Sequence, residues 1–378
     1  MRGKWLVLGV PSLLLILNFQ NCSVHPFTSQ ISKQELLLPS EQLMGVNNFT
    51  KVVTSNTFSC GLNEAQQLKC WGFIGQFNQI LSDSQKGYYF SDVTQPSYAN
   101  LNSLTPQILS HNIVDITAEF FSLCYLDQNK TVHCIGAKNP DLKLNSVTAI
   151  TSGNDHTCAL LENTQVVCWG ANNRGQLGNN SVTGGLNPVS VLTAQGVPLS
   201  GVVKVKAGGT TTCALLNTKE VYCWGGGPIQ MFGMSVPGSI VSSLFAVRLS
   251  VSSDRWIDLD LGYDHLCLLS DSRILKCVGN DNYRQAASCS VNTAVSIFKT
   301  SQFGTYYVTE TEPQRIYKCQ DGLTFIDFTE AILKLSVSDY HDCLISQSKK
   351  IYCKGKNEIG LIGDGTKDPS PNYKEPRF

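Results

Sequence analysis

Residues 147–178 read VTAITSGNDHTCALLENTQVVCWGANNRGQLG, with two cysteines ten positions apart. Cys158 and Cys168 lie symmetrically about a polar tip at Glu162–Gln165, between Ala-Leu-Leu and Val-Val-Cys-Trp. In an antiparallel hairpin that turns at Asn163 the two cysteines are directly opposed. The Cα atoms of such a non-hydrogen-bonded pair lie about 4.5 Å apart, at the short end of the disulfide range. The stretch therefore predicts a disulfide-closed β-hairpin.

The ten-residue cysteine spacing recurs along the chain, each time around a polar midpoint. The pairs are Cys60 with Cys70, Cys124 with Cys134, Cys158 with Cys168, Cys213 with Cys223, Cys267 with Cys277, and Cys343 with Cys353. A glycine stands two positions after every second cysteine: Gly72, Gly136, Gly170, Gly225, Gly279 and Gly355. Recurrence at this regularity indicates an internal repeat.

Three motifs carry a resemblance to a known family. G-x-x-H-x-C-A-L begins at Gly153, V-x-C-W-G begins at Val166, and Gly-Gln-Leu-Gly ends at Gly178. Together they resemble the regulator-of-chromosome-condensation repeat, in a cysteine-paired form associated with exported bacterial proteins. The resemblance extends from about Lys51 to the C-terminus and is strongest in the third and fourth units.

The resemblance implies an all-β fold, a seven-bladed β-propeller of four-stranded blades that occupies residues 46–378. Seven units can be placed, centred near residues 65, 129, 163, 218, 272, 314 and 348. We expect the segment before Lys51 and the strand after Gly355 to meet in one blade and close the ring, which removes most exposed sheet edges.

The N-terminal residues 1–22 have the features of a signal peptide. Arg2 and Lys4 precede an apolar run, Trp5–Leu17, that is short for a membrane span. Cys22 follows, as in a bacterial lipoprotein signal in which this cysteine is lipidated. The alternative is an ordinary signal peptide that is cut nearby and leaves Cys22 without a role. Residues 23–45 are polar and mixed and are interpreted as a tether.

The number of cysteines fits lipidation of Cys22. Of 15 cysteines, twelve lie in the spaced pairs, and Cys289 and Cys319 remain with Cys22. Cys319 follows Arg-Ile-Tyr like a second-strand cysteine, but Thr309 stands ten positions before it. A Cys289–Cys319 disulfide between neighbouring units is the other possibility. This cysteine density fits an oxidising compartment. The spacing is not that of a zinc site, so we expect no metal and no cofactor.

Three histidines, His156, His265 and His341, each stand two positions before a first cysteine. They could suggest metal or acid–base chemistry, but the family uses a histidine here structurally. Asp155 and Asp264 precede two of them without a nucleophile to complete a triad. No phosphate-binding motif occurs, and the protein is expected not to be an enzyme. Trp71, Trp169 and Trp224, which follow second cysteines, are expected to pack between blades.

Function is expected to depend on the surface, because the fold does not determine it. The family contains nucleotide-exchange factors, a plant light receptor and secreted bacterial inhibitors of β-lactamase. The chain carries 29 basic and 29 acidic residues, so no basic excess indicates a nucleic-acid partner. The leading hypothesis is an exported, lipid-anchored propeller at the bacterial envelope that binds an envelope or extracellular protein or a glycan.

Two alternatives remain open at this point. One is a structural or adhesive envelope protein, and the other is an enzyme or enzyme inhibitor with a site on one propeller face. The expected contact surfaces are a long insertion, Phe73–Ile108, and the connection Gly226–Arg248, which carries Met231 and Met234.

Overall fold

A computed structural model describes residues 47–74, 101–119, 122–135, 142–144, 146–228, 240–249, 255–279, 289, 291–301, 304–319 and 324–378. Within these ranges every helix or strand element is a β-strand. The strands form seven antiparallel sheets in chain order, six of four strands and one of three. The predicted all-β, seven-bladed β-propeller is confirmed.

The blades follow one another along the chain. Blade 1 contains β1 (Phe49–Thr54), β2 (Phe58–Asn63), β3 (Leu68–Ile74) and β4 (Leu101–Ser110); blade 2 contains β5 (Ile113–Glu119), β6 (Ser122–Asp127), β7 (Thr131–Ile135) and β8 (Leu142–Lys143); blade 3 contains β9 (Val147–Ser152), β10 (His156–Leu161), β11 (Val166–Gly170) and β12 (Gly185–Ser190); blade 4 contains β13 (Val202–Gly208), β14 (Thr211–Leu216), β15 (Val221–Pro228) and β16 (Ile240–Arg248). Blade 5 contains β17 (Trp256–Leu261), β18 (His265–Ser270) and β19 (Leu275–Gly279); blade 6 contains β20 (Val295–Thr300), β21 (Thr305–Thr309), β22 (Arg315–Cys319) and β23 (Thr324–Asp327); blade 7 contains β24 (Ile332–Val337), β25 (His341–Ser346), β26 (Ile351–Gly355) and β27 (Ser370–Lys374).

In the six blades with a spaced cysteine pair, the second and third strands form the hairpin that this spacing predicts. In blade 3, Cys158 is opposite Cys168 and His156 is opposite Gly170. The Cα atoms of that cysteine pair lie 4.1 Å apart. Gly170 has a φ of +108°, and a Cβ there would lie 2.5 Å from the Asp155 carbonyl oxygen. The glycine after the second cysteine is therefore required by both conformation and space.

The hairpin tips join each blade to the next. In six tips a non-glycine residue has a left-handed conformation: Gln66, Lys130, Thr164, Lys219, Arg273 and Lys349. The carbonyl oxygen of Thr164 accepts a hydrogen bond from the amide of Val202, where the inner strand of the next blade begins (3.0 Å). The carbonyl oxygen of Lys349 accepts a hydrogen bond from the amide of Phe49 in the same way (2.8 Å). The last blade therefore contacts the first blade through the same type of bond that joins blades 3 and 4.

Among the described residues, the first and last strands lie in different blades, while most of the segment before Lys51 that we expected to help close the ring lies outside the described residues. Strand β27 pairs with β26 inside blade 7, and β1 pairs with β2 inside blade 1. Side chains complete the joint, because the ring of Phe378 lies 4.7 Å from that of Phe49 and 5.9 Å from that of Trp71. Within the described residues, the tip bonds and this aromatic contact join blade 7 to blade 1, and no strand is shared between them.

The two segments expected to be long surface connections are partly strands. Residues 101–108 of the expected Phe73–Ile108 insertion belong to β4, which pairs with β3. Most of the expected connection Gly226–Arg248 is also strand, because β15 continues to Pro228 and β16 begins at Ile240. Fourth strands begin after gaps of different length, which the hydrophobic pattern alone did not reveal. Residues 75–100 and 229–239, with Met231 and Met234, lie outside the described residues.

The hydrophobic core lies between blades. One cluster joins Leu160 and Leu177 of blade 3 to Val205 and Trp224 of blade 4. The indole Nε1 of Trp224 donates a hydrogen bond to the carbonyl oxygen of Gln176 (3.0 Å), in the Gly-Gln-Leu-Gly turn of the preceding blade. Each motif therefore stabilises its neighbour as well as its own blade, and blade packing explains the tryptophans.

Candidate functional site: the loop face and the central channel

Antiparallel blade topology places two sets of loops on the same side of the ring. In the blades where these loops are described, the loops after the first and third strands emerge there, and we call this side the loop face. At its centre is the channel mouth, an open pocket. Its lining residues are Thr54, Ser55, Asn56, Leu261, Gly262, Tyr263, Thr300, Ser301, Val337, Ser338 and Asp339. Blades 1, 5, 6 and 7 thus provide the walls of one polar entrance.

Below the mouth, side chains of one inner strand bond to the backbone of the next. Ser336 Oγ accepts from the amide of Thr54 (3.0 Å), and Thr151 Oγ1 accepts from that of Ala207 (3.0 Å). Asp260 Oδ2 accepts from the amide and the hydroxyl of Thr300 (3.0 and 3.1 Å). Threonine, serine and aspartate at this level therefore fix the spacing of the blades around the channel.

The inner strands also carry paired charges. Lys51 forms an ion pair with Asp115 across blades 1 and 2. Lys204 pairs with Asp258 across blades 4 and 5. Both pairs join adjacent blades, so they contribute to the wall of the channel.

Asp260 is shared by two lysines. Its Oδ1 lies 3.3 Å from Lys299 Nζ and 3.9 Å from Lys206 Nζ. Burial opposes ionisation of Asp260, but Lys299 and then Lys206 lower its pKa to about 2. The positive charge of Lys299, together with burial, lowers the pKa of Lys206 to about 7.

The three histidines singled out in the sequence bond to the following blade. His156 Nε2 lies 2.7 Å from Thr212 Oγ1, and His265 Nε2 lies 3.0 Å from Thr305 Oγ1. Burial lowers the pKa of each of these two imidazoles to about 4. The glycine of the G-x-x-H motif leaves room for the ring, because a Cβ on Gly153 would lie 2.3 Å from His156 Cε1.

His341 and Ser59 form a pair that sequence inspection missed, since the two residues are far apart in the chain. His341 Nε2 lies 2.5 Å from Ser59 Oγ, and Ser338 Oγ lies 3.1 Å from His341 Nδ1. Both Ser59 and His341 are buried, and Ser59 Oγ also donates to the carbonyl oxygen of Leu361 (3.3 Å). Burial lowers the pKa of His341 to about 3, which makes it a weak general base. This arrangement supports packing rather than nucleophilic catalysis.

Seven disulfides join the fourteen cysteines of the propeller. The Cα atoms of the six hairpin pairs lie 4.0–4.1 Å apart, and the structure joins the cysteines as the spacing predicts: Cys60 with Cys70, Cys124 with Cys134, Cys158 with Cys168, Cys213 with Cys223, Cys267 with Cys277, and Cys343 with Cys353. Cys289 is joined to Cys319, with a Cα–Cα distance of 5.3 Å, and this bond links blade 5 to blade 6. Cys22 and residues 1–46 lie outside the described residues.

Cys319 does not occupy a second-strand cysteine position. Strand β22 places Cys319 opposite Thr305 and Lys318 opposite Tyr306. In blade 3 the residue opposite the corresponding threonine, Thr157, is Trp169. Cys319 therefore occupies the position that a tryptophan has in blade 3. The blade 6 hairpin is two residues longer, because Thr305 and Cys319 are 14 positions apart whereas Thr157 and Trp169 are 12 apart. The residue ten positions before Cys319, Thr309, is therefore not its strand partner.

Blades 6 and 7 meet through a polar cluster that replaces the usual disulfide and tryptophan. The Lys318 amine lies 5.3 Å from the centre of the Tyr306 ring, and Lys354 Nζ lies 3.6 Å from Asp342 Oδ2. Burial raises the pKa of Asp342 to about 6 although both lysines act to lower it. The hydroxyl of Tyr373 is buried nearby with no hydrogen-bond partner among the described residues.

Asparagine organises the long loops, a role that sequence inspection missed. In blade 3, Asn172 Nδ2 donates to the carbonyl oxygens of Ser181 and Thr183, and Asn172 Oδ1 accepts from the amide of Leu177. Asn357 makes the equivalent contacts in blade 7, where its Oδ1 accepts from the Ile362 amide. The signal was present as an asparagine three residues before the first turn glycine in both units.

Across the part of the chain that the structure describes, there is no cluster of three or more histidine, cysteine, aspartate or glutamate side chains that could hold a metal ion. Nor does any described segment form a helix with the length and hydrophobicity needed to cross a bilayer. Asp155, which precedes His156, accepts a hydrogen bond through its carbonyl oxygen from the Ala171 amide (2.8 Å).

Comparison with known families identifies the repeat. A sequence model described as the regulator of chromosome condensation (RCC1) repeat matches residues 147–176 and 202–227. These ranges lie in blades 3 and 4, where the resemblance is strongest. The match identifies these two segments as RCC1-type repeats.

Two curated relatives share limited identity with the chain. Protein pim1 of Schizosaccharomyces pombe is 23% identical over 250 residues, 65% of this chain and 43% of that protein. The mitochondrial RCC1 domain-containing protein RUG3 of Arabidopsis thaliana is 28% identical over 141 residues, 35% of this chain and 31% of that protein. The chain thus spans less than half the length of each of these relatives.

A solved structure supports the fold. Human WBSCR16 superposes with a TM-score of 0.63 at 15% identity and covers 82% of this chain and 95% of its own. The ectodomain of the Physcomitrella patens receptor kinase CR4 gives a TM-score of 0.51 at 15% identity and covers 82% of this chain and 74% of its own. At these identities the likeness concerns the fold alone.

Proposed function

We propose that this chain is an exported, lipid-anchored binding propeller that presents its loop face to a protein or a glycan at a bacterial cell envelope. The observation that carries the proposal is the gathering of the loops after the first and third strands on one side of a closed ring. A rigid ring that displays variable loops is a common design for binding surfaces.

The contacts of the buried histidines favour a binding function over a catalytic one. His156, His265 and His341 bond to side chains of the next blade, and all three are buried. Histidines of this kind hold blades together and are shielded from a substrate. The channel mouth is lined mainly by hydroxyl, amide and apolar groups, a lining suited to recognition.

Export is supported by the chemistry of the cysteines. Six disulfides each close a hairpin within one blade, and the seventh joins blades 5 and 6. Closing a loop of about eleven residues stabilises a fold by about 2–3 kcal/mol in the loop-entropy model. Such bonds persist in oxidising compartments. We propose that Cys22 carries the lipid and that residues 23–45 separate the propeller from the membrane.

Mass spectrometry tests the anchor and the compartment. The protein is purified from membranes of its source cells without reductant, and its N-terminal peptide and disulfides are mapped. We expect a diacylated or triacylated Cys22 at the N-terminus and no free thiol. An unprocessed N-terminus with free cysteines would contradict export and return the intracellular roles of the family to consideration.

Site-specific photo-crosslinking tests the binding face with a matched pair of valines. Val182 lies in the loop after β11, on the loop face, and is 58% exposed. Val197 lies after β12, on the opposite face, and is 54% exposed. A photoreactive amino acid at either position is compared in intact cells. We expect adducts with a foreign protein or glycan from position 182 and few from position 197. Adducts that contain only further copies of this chain would favour the structural or adhesive alternative.

A further inference from the structure

The charges on the inner strands do not balance. The eight charged side chains described on these strands are Lys51, Asp115, Lys204, Lys206, Asp258, Asp260, Lys299 and Lys334. Five are lysines and three are aspartates. Among the inner-strand side chains that the structure describes, lysines therefore outnumber carboxylates, in a chain whose formal net charge is zero.

The excess charge can be located. Asp115 and Asp258 each pair with one lysine, Lys51 and Lys204 respectively. Asp260 faces two, Lys206 and Lys299, and both amines approach the same oxygen, Oδ1. One carboxylate cannot neutralise two ammonium groups, so a surplus positive charge lies beside Asp260.

The N–H donors of the two lysines also outnumber the acceptor positions that Asp260 offers them. The second oxygen of Asp260, Oδ2, is occupied by the amide and hydroxyl of Thr300. Lys206 Nζ is 3.9 Å from Oδ1, which is beyond hydrogen-bond distance. Each ammonium group has three N–H donors. Lys206 and Lys299 therefore have donors that Asp260 does not accept.

The two amines are accessible to a small solute. The side chains of Lys206 and Lys299 are each 30% exposed although they lie on innermost strands. Lys299 is followed by Thr300 and Ser301, which line the channel mouth. Asp339 is the carboxylate among the described lining residues, and the other polar groups there are hydroxyls, an amide and backbone.

We propose that Lys206 and Lys299 form a site in the central channel for a small oxyanion of the phosphate class, with Lys204 and Lys51 as more distant positive charges. The anion accepts hydrogen bonds from both ammonium groups and neutralises the charge that Asp260 leaves. Phosphate oxygens are strong acceptors, and lysine binds phosphate as a point charge. The site is separate from the loop contacts of the proposed function.

Proton linkage gives this site a characteristic signature. Lys299 and burial lower the pKa of Lys206 to about 7, and Lys204 and Lys51 act in the same direction. A bound anion raises this pKa, because it stabilises the ammonium form. Phosphate binding therefore takes up protons near neutral pH and weakens as the pH rises above 7.

Isothermal titration of the purified full-length chain with inorganic phosphate tests the proposal. Titrations at constant ionic strength, in two buffers of different ionisation enthalpy, measure both the affinity and the proton uptake. We expect saturable binding at one site per chain. K206M and K299M should each weaken it at least about tenfold, since each removes one charged donor. K367M, which removes an exposed lysine from a loop after β26, should leave the affinity unchanged.

The controls separate loss of the site from loss of the fold. Each channel variant leaves one lysine beside the buried Asp260 carboxylate, so we expect both variants to remain folded. The proposal is overturned if wild-type protein gives no saturable heat with phosphate. It is equally overturned if K206M and K299M, shown to be folded by circular dichroism, bind phosphate as the wild type does.

Discussion

Acidification should destabilise the propeller because three buried histidines remain neutral in the folded state. Burial lowers the pKa of His156 and of His265 to about 4, and that of His341 to about 3. In the unfolded chain a histidine has a pKa of about 6.5. As the pH falls through 6.5, the unfolded chain binds protons that the folded protein does not. Stability is therefore present above this pH and declines toward the folded pKa values.

The magnitude follows from the size of these shifts. At pH 5 each unfolded histidine is almost fully protonated, whereas the three folded histidines are mostly neutral. The difference is worth about 2 kcal/mol per histidine relative to neutral pH, or about 6 kcal/mol for the three. Asp342 acts in the opposite direction, because burial raises its pKa to about 6. Its protonation in the folded protein therefore raises the free energy of unfolding by about 1 kcal/mol at pH 5.

Urea unfolding at a series of pH values measures this effect. Trp71, Trp169 and Trp224 are buried and report unfolding through their fluorescence, with the disulfides kept intact. We expect the free energy of unfolding to fall steeply between about pH 7 and pH 5. His156→Gln should reduce that slope by about one proton, because glutamine does not titrate. A flat profile, or a variant with the wild-type slope, would refute the reasoning.

Two further predictions concern packing between and within the blades. Gly153→Ala should destabilise the fold by about 1–3 kcal/mol, since the new Cβ would lie 2.3 Å from His156 Cε1. Gly185→Ala is the matched control, because a Cβ there meets no atom within 4 Å. It should change the unfolding free energy by less than about 0.5 kcal/mol. Equal effects at the two sites would contradict the packing argument. Lys354→Met should cost about 3–5 kcal/mol at neutral pH by leaving the buried Asp342 carboxylate without its nearest partner. That loss of stability should shrink as the pH falls below 6. Adding Asp342→Leu to the Lys354→Met variant should restore the lost stability, measured by thermal unfolding. A double variant no more stable than the single one would argue against a buried ion pair.

Much of the blade could be predicted because its constraints are local. The spacing of Cys158 and Cys168 sets the hairpin register, and the glycine two positions later is required at a positive φ. Both features depend on residues within one turn of chain. Opposed cysteines, a polar tip and a glycine therefore predicted the second and third strands of six blades.

The sequence was less informative where partners are distant. The Ser59–His341 contact joins the first and last blades, and no local pattern indicates it. The register of Cys319 depends on the length of the blade 6 tip, which has no cysteine pair to mark it. The channel charges were missed for the same reason, since Lys206, Asp260 and Lys299 come together only when three blades are assembled.

The order of the blades along the chain has a consequence for biosynthesis. Every blade is one continuous segment, so a chain that emerges N-terminus first can complete blade 1 before blade 7 exists. Each hairpin disulfide joins cysteines ten positions apart, which appear close together in time and are near neighbours in the nascent chain. Wrong pairings among the remaining cysteines are disfavoured because earlier pairs are already closed. Contacts between blade 1 and blade 7, such as those of Phe49 with Lys349 and Phe378 and of Ser59 with His341, need the whole polypeptide, so assembly ends with one docking step between finished units.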